Sequence, residues 1–159
     1  MNKKPSKNNQ KLLNYQIQTL KSLIAEIQKC CEYRELYESK KFGLPVAELK
    51  CLMLFDGERY LTVTGIAQKL EVAKSRVTKI IKGLGEKGMV HRIDDPQDSR
   101  IKLINLSNNG HKKAQEINDF KTALHQRILL QMQPDERKNT ISYLALLRAT
   151  MEAVKEGMV

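Results

Sequence analysis

No stretch of this 159-residue chain approaches the ~20 consecutive apolar residues that cross a bilayer. A membrane-spanning role is therefore not expected. The opening residues MNKKPSKNNQK are basic, but no uninterrupted apolar segment follows them, so no secretory signal is expected and the chain reads as cytoplasmic. Cysteine is scarce: Cys30, Cys31 and Cys51 are the three. A cytosolic chain keeps its thiols reduced, and neighbours on a helix point different ways, so Cys30 and Cys31 cannot pair without breaking the helix. Histidine is equally sparse. His91, His111 and His125 include no i,i+4 pair, and no C-x-x-C is present, so no metal site is expected. There is no G-x-S-x-G, no phosphate-binding glycine loop and no paired-carboxylate signature. The string GLGEKG, from Gly83 to Gly88, fits G-x-G-x-x-G on paper, but it lies at a helix end rather than between a strand and a helix. The chain is expected not to be an enzyme and to need no cofactor.

Negative charge is also in short supply. Twenty-eight Lys and Arg stand against 18 Asp and Glu, a formal net charge of +10. Such an excess points to a polyanionic partner, with nucleic acid the leading candidate, although charge alone would suit RNA or an anionic membrane as well. Hydrophobic content, at 41%, is ordinary for a globular fold with a real core.

The most informative stretch runs from Leu61 to Gly110. Thr62 is a good N-cap, and Ile66, Ala67 and Leu70 follow at helical spacing, ending near Glu71. A second helix begins around Lys74. Val77, Ile80, Ile81 and Leu84 fall at i, i+3, i+4 and i+7, one buried stripe. Ser75, Lys79 and Lys82 point the opposite way, with Arg76 and Thr78 on the flanks. Between Val72 and Gly85 there are four basic residues and no acidic one. Gly88 is placed to close the helix in a left-handed cap. Val90–Ile93 and Lys102–Leu106 read as two short strands joined through a turn at Asp95-Pro96. This is a helix-turn-helix followed by a hairpin wing. A helix with a positive outer face can enter the major groove, and a basic hairpin can reach the adjoining backbone or minor groove.

On either side the chain reads as helices. Met1 to about Gln10 is a polar, basic arm. A long helix follows from about Lys11 to Ser39, with Leu13, Leu20, Leu23, Ile24, Ile27 and Cys31 as its apolar stripe; Cys31 is expected to be a small core residue. Leu44-Pro45 opens VAELKCLMLF, apolar on almost every side and expected to be buried from several directions. Ser107 caps a helix running to about Met132, and Pro134 opens the last one, with Asp135 and Glu136 in its first turn.

The segments LTVTGIAQKL, SRVTKIIKGLGEKGMVHR and DDPQDSRIKLINLSNNG resemble the MarR family of winged-helix regulators. The last is the most specific: Asp98, Ser99 and Arg100, then Leu106, Ser107 and Gly110, look like the family's D-x-R wing followed by L-[TS]-x-x-G. The resemblance implies an obligate dimer, major-groove reading by the second helix, and a wing arginine, Arg100, in the minor groove with Asp98 holding its guanidinium. Two features depart from the pattern. Ala73 stands where the family commonly has a capping Ser or Thr, and Gly83 and Gly85 lie inside the recognition helix.

The expected fold is thus mainly α with a small β-hairpin wing: a winged helix-turn-helix DNA-binding lobe over residues 44–106, the wing at about 90–106, flanked by dimerisation helices in residues 1–42 and 107–159. The expected function is sequence-specific binding of double-stranded DNA by a homodimeric transcriptional regulator, a repressor released by a small-molecule or stress signal. Its operator would be pseudo-palindromic, with half-sites roughly 34–36 Å apart. The candidate DNA-contacting residues are Thr62, Lys74, Ser75, Arg76, Thr78, Lys79, Lys82, Arg92, Asp98, Arg100 and Lys102. Cys30 and Cys31 are candidates for redox sensing. The alternative is a basic winged-helix adaptor that binds RNA or protein without operator specificity.

Overall fold

The computed structural model describes residues 7–98 and 100–158; the first six residues of the basic arm, and Ser99 of the wing motif, lie outside the described residues. The chain divides into two compact units, one ending at Ala114 and the other beginning at Gln115.

The first unit opens with α1 (Lys7–Phe42), which starts four residues before the expected Lys11 and is 36 residues long, about 54 Å of helix. Its burial is concentrated in its last turns: Glu38 is buried, Arg34, Glu35, Ser39 and Phe42 are half-buried, and upstream only Thr19 and Ile24 among the described side chains are half-buried. The upstream stripe of Leu13, Leu20, Leu23 and Ile27 is exposed. Cys31 is exposed with it. The expectation of a core Cys31 is therefore corrected: it sits on a stretch of helix that outruns the elements packed beneath α1.

After α1 come α2 (Val46–Met53), β1 (Leu61–Thr62), α3 (Val63–Leu70), α4 (Lys74–Glu86), β2 (Val90–Asp94), β3 (Lys102–Leu106) and α5 (Asn108–Leu130). β2 and β3 form the expected hairpin, in register from Val90 opposite Leu106 to Asp94 opposite Lys102. The two-residue strand β1, which periodicity did not announce, pairs antiparallel with β3, Leu61 opposite Ile104. The sheet order is β1-β3-β2. Alternation along β3 turns Ile104 and Leu106 inward, and they join Leu49, Leu52, Ile66, Val77, Ile81, Leu84 and Val90 in one core. All four residues of the predicted α4 stripe are buried.

Two helices of this unit stop by the same device. Gly88 takes φ +65; the Met89 N–H donates to the Leu84 carbonyl and the Gly88 N–H to that of Gly85, each at 2.9 Å. This is the left-handed closure expected for α4. α3 closes likewise at Glu71, with φ 54 and ψ 44, where a side chain costs ~1–2 kcal/mol that glycine would avoid.

The start of α5 is tied back to the end of α4. The Ser107 hydroxyl donates to the Gly88 carbonyl at 2.6 Å and accepts from the Gly110 N–H at 3.0 Å. The Ser107 N–H donates to the Met89 carbonyl at 2.9 Å. At Gly110 a Cβ would stand 2.0 Å from that same Met89 oxygen. The serine-to-glycine spacing of the motif thus has a steric cause.

The second unit holds the rest of α5, with Ile117 buried, and α6 (Pro134–Glu156). The Glu136 carboxylate accepts from the Gln133 N–H at 2.7 Å, capping the start of α6. No described residue of α6 is buried; Ile141, Tyr143, Leu144, Leu146, Met151 and Val154 are all exposed.

Candidate nucleic-acid interface

α4 begins at a residue that cannot cap it with a side chain. Ala73 offers only its carbonyl, which accepts from the N–H groups of Arg76 and Val77 at 2.9 and 3.3 Å. The first turn of α4 thus lacks a side-chain cap, and an uncapped helix start is a favourable position for a phosphate oxygen. With Val77, Ile80, Ile81 and Leu84 turned into the core, the opposite face presents Lys74, Ser75, Arg76, Thr78, Lys79 and Lys82, all exposed. Among the described residues no ion pair involves Lys74, Arg76 or Lys79. Lys82 stands 3.9 Å from the exposed Glu86 carboxylate, a contact worth at most a few tenths of a kcal/mol. The Thr78 hydroxyl donates to the Lys74 carbonyl at 3.1 Å and keeps its lone pairs outward. Ser75, Arg76 and Lys79 also line a cleft of about 350 Å³ whose other wall is Pro45, Ala47 and Glu48 of the α2 region.

Thr62 has a different task at hand. Its hydroxyl accepts from the Gly65 N–H at 3.0 Å, so it caps α3 and is half-buried. It does not lie on the α4 face.

In the wing, Arg92, Arg100 and Lys102 are exposed. Lys102 is paired with Asp94 across the hairpin. The turn is built by acidic side chains: Asp95 accepts from the backbone N–H groups of Gln97 at 2.8 Å and Asp98 at 3.3 Å, and Asp98 accepts from that of Arg100 at 2.9 Å. Asp98 thus holds Arg100 by its backbone amide, and among the described residues no ion pair joins it to the guanidinium. The bond to the amide fixes where the Arg100 Cα stands, and the Arg100 side chain is exposed.

Cys30 and Cys31 are exposed on α1, and Cys51 is buried on α2. Burial pushes the Cys51 thiol up to about 12, with the charge of Glu48 adding to the shift, so it is protonated and inert at neutral pH. Among the described residues no cluster of His, Cys, Asp or Glu could hold a metal ion, and no helix is long and apolar enough to cross a membrane.

Sequence reasoning passed over Glu48 and Lys87. Lys87 reaches from the end of α4 to the Glu48 carboxylate at 2.9 Å. The available signal was a lone acid in the apolar segment VAELKCLMLF, which hydropathy alone does not distinguish from a solvent-facing position.

Residues 44–102 match the profile of the MarR family. The chain is 26% identical over 113 residues to the uncharacterized HTH-type transcriptional regulator YdgJ of Bacillus subtilis strain 168, covering 71% of this chain and 69% of that one. It is 27% identical to the HTH-type transcriptional repressor MdtR of the same organism, covering 84% of each. Its fold is similar to that of Streptococcus pneumoniae FabT crystallised in complex with DNA, with a TM-score of 0.75 and 19% identity over 87% of this chain and 99% of that one.

Proposed function

We propose that the chain, whose residues 44–102 match the MarR family, is a homodimeric, sequence-specific double-stranded DNA-binding transcriptional regulator. The observation that carries this is the outward face of α4, with Lys74, Arg76 and Lys79 held on a rigid helix and turned to solvent. Free cations presented by a helix of groove-fitting width are what major-groove reading requires. In this reading Ser75, Arg76 and Lys79 approach base edges, and Lys74, Lys82, Arg92 and Lys102 meet phosphates. Arg100 reaches the minor groove from a turn whose shape Asp98 maintains, and Thr62 serves indirectly by capping α3. Apolar residues of α1 and of α6 supply the dimer contact, with the exposed Leu20 and Leu144 and the half-buried Ile24 and Leu147 as its candidates. Repression, with release by a small-molecule or stress signal, completes the proposal; MdtR is described as a repressor.

Selection of duplexes from a random library by the purified chain, followed by sequencing, tests it. Enrichment of a pseudo-palindrome with half-sites about one helical turn apart is expected. Affinity for that duplex should fall roughly 10³–10⁵-fold between about 50 and 200 mM salt if six to ten phosphates are neutralised. RNA binding with no preferred duplex would replace the regulator by an adaptor.

A further inference from the structure

Glu48 is a charged residue inside the first unit, 7% exposed. It stands on α2 between Ala47 and Leu49, and its carboxylate faces the closing turn of α4. Lys87 Nζ donates to Oε1 at 3.0 Å and lies 2.9 Å from Oε2. The second contact is off the hydrogen-bonding direction, so Oε2 is a buried oxygen that meets the ammonium only electrostatically. The same ammonium reaches the Gly83 carbonyl at 3.4 Å. Gly83 makes the approach feasible: a Cβ there would stand 2.3 Å from Glu48 Oε1.

Each choice is unfavourable alone. A carboxylate taken out of water recovers its desolvation cost only beside a well-placed cation, here the solvent-reaching Lys87, and a glycine inside a helix weakens the helix. Both occur at one spot, and a single arrangement explains both: a carboxylate wedged against the backbone of α4 and locked there by the helix's own lysine. The wedge also has the wrong sign for a phosphate-binding surface, and it occupies a cation that could otherwise face DNA. Glu48 further lines the cleft that holds Ser75, Arg76 and Lys79, about one to two turns before Gly83 on the same helix. Apolar packing of Val77, Ile80, Ile81 and Leu84 sets how close α4 lies to the core and which face it turns inward, but it is non-directional. A hydrogen-bonded ion pair on the helix flank adds a directional restraint to that packing.

We propose that Glu48 is a positioning residue for DNA recognition: through Lys87 and Gly83 it sets the roll of α4, and so governs discrimination between operator and random duplex rather than general attraction to phosphate. This rests on the DNA-reading function proposed above. The test compares dissociation constants of the full-length chain for the duplex recovered by selection and for a random-sequence duplex of equal length, at one salt concentration, alongside thermal midpoints. Glu48→Gln keeps the shape and removes the charge. It should lose tenfold or more on the selected duplex while random-duplex binding stays within threefold of wild type or tightens. The charge swap Glu48→Lys with Lys87→Glu should recover part of the lost ratio. A parallel fall on both duplexes, or an unchanged ratio, overturns the proposal. If Glu48→Gln does not fold, Gly83→Ala gives the second reading. It should lower the midpoint and the ratio when Glu48 is present, yet raise the midpoint in a Glu48→Ala background, where nothing opposes the new methyl. Additive effects of the two substitutions on the midpoint would remove the wedge. A wild-type chain that prefers no duplex defeats the regulator reading instead, and the midpoint coupling still decides whether the wedge exists.

Discussion

The lobe built from α2, α3, α4 and the sheet, and the helix α6, are written in the same apolar alphabet but use it in opposite ways. Leu52, Ile66, Val77, Leu84 and Ile104 are each 0% exposed. On α6, Ile141, Leu144 and Leu146 are 56%, 53% and 61% exposed. A helical apolar stripe states that a face must be covered; it does not state by what. In the lobe the neighbouring segments are short and connected by tight turns, so the chain covers its own stripes. On α6 the stripe remains in water, where apolar area is worth about 25 cal/mol per Å² to whatever covers it. Thiols follow the same division: Cys51 is sealed in the lobe, while Cys30 and Cys31 face solvent on α1.

The comparison can be broken most forcefully by cutting one leucine from each region. Leu52→Ala should cost about 2–5 kcal/mol in urea unfolding. Leu144→Ala should instead leave the helical signal of the chain intact and weaken self-association by sedimentation; equal unfolding costs from the two would erase the distinction. Next in size is the lobe's outward chemistry. Arg76→Ala should cost about 1–3 kcal/mol on the selected duplex and relax preference at one base position. Arg100→Ala should cost most where the flanking minor groove is narrow. Uniform loss at both, regardless of sequence, would demote them to phosphate contacts.

Cys51 sharpens the contrast through pH. Its folded value of about 12 lies above its ordinary value of 9, so the folded chain binds this proton more tightly than the unfolded chain. The associated stability is whole below pH 9 and drains as pH rises towards 12, by about 1.4 kcal/mol per unit. Unfolding curves between pH 8 and 10 should therefore diverge from those of Cys51→Ala, and an alkylating reagent at pH 8 should label Cys30 and Cys31 before Cys51. Parallel curves would show that the thiol is not sealed. The smallest effect concerns the wing. Asp98→Asn retains an acceptor for the Arg100 amide and sheds a charge that repels phosphate, so it should bind as well as wild type or better. Asp98→Ala should lose about 1 kcal/mol with the turn. Tighter binding by Asp98→Ala, measured on the same duplex, would reduce Asp98 to a repelling charge.

The lobe was legible in sequence because its signals are local. The i, i+3, i+4, i+7 stripe of α4, the glycine at position 88 and the Asp95-Pro96 turn each determine structure within a few residues of themselves, and each stands where expected. β1 was not legible: two residues, Leu61 and Thr62, carry no periodicity, and they are strand only because β3 lies beside them. Cys31 was misplaced because a stripe gives direction around a helix and not how far along it the core extends. The wing pair was half-legible: Asp98 and Arg100 do engage each other, but through an amide that residue identity does not reveal. Glu48 and Lys87, 39 residues apart, were beyond any local rule.

Ser107 joins three backbone groups from two elements: its hydroxyl bridges the Gly88 carbonyl and the Gly110 amide, and its own amide holds the Met89 carbonyl. No side chain intervenes, since Gly110 leaves no room for one. The close of α4 and the first turn of α5 are therefore clasped to each other through backbone and a single hydroxyl, so a substitution at Ser107 would loosen two helix ends at once.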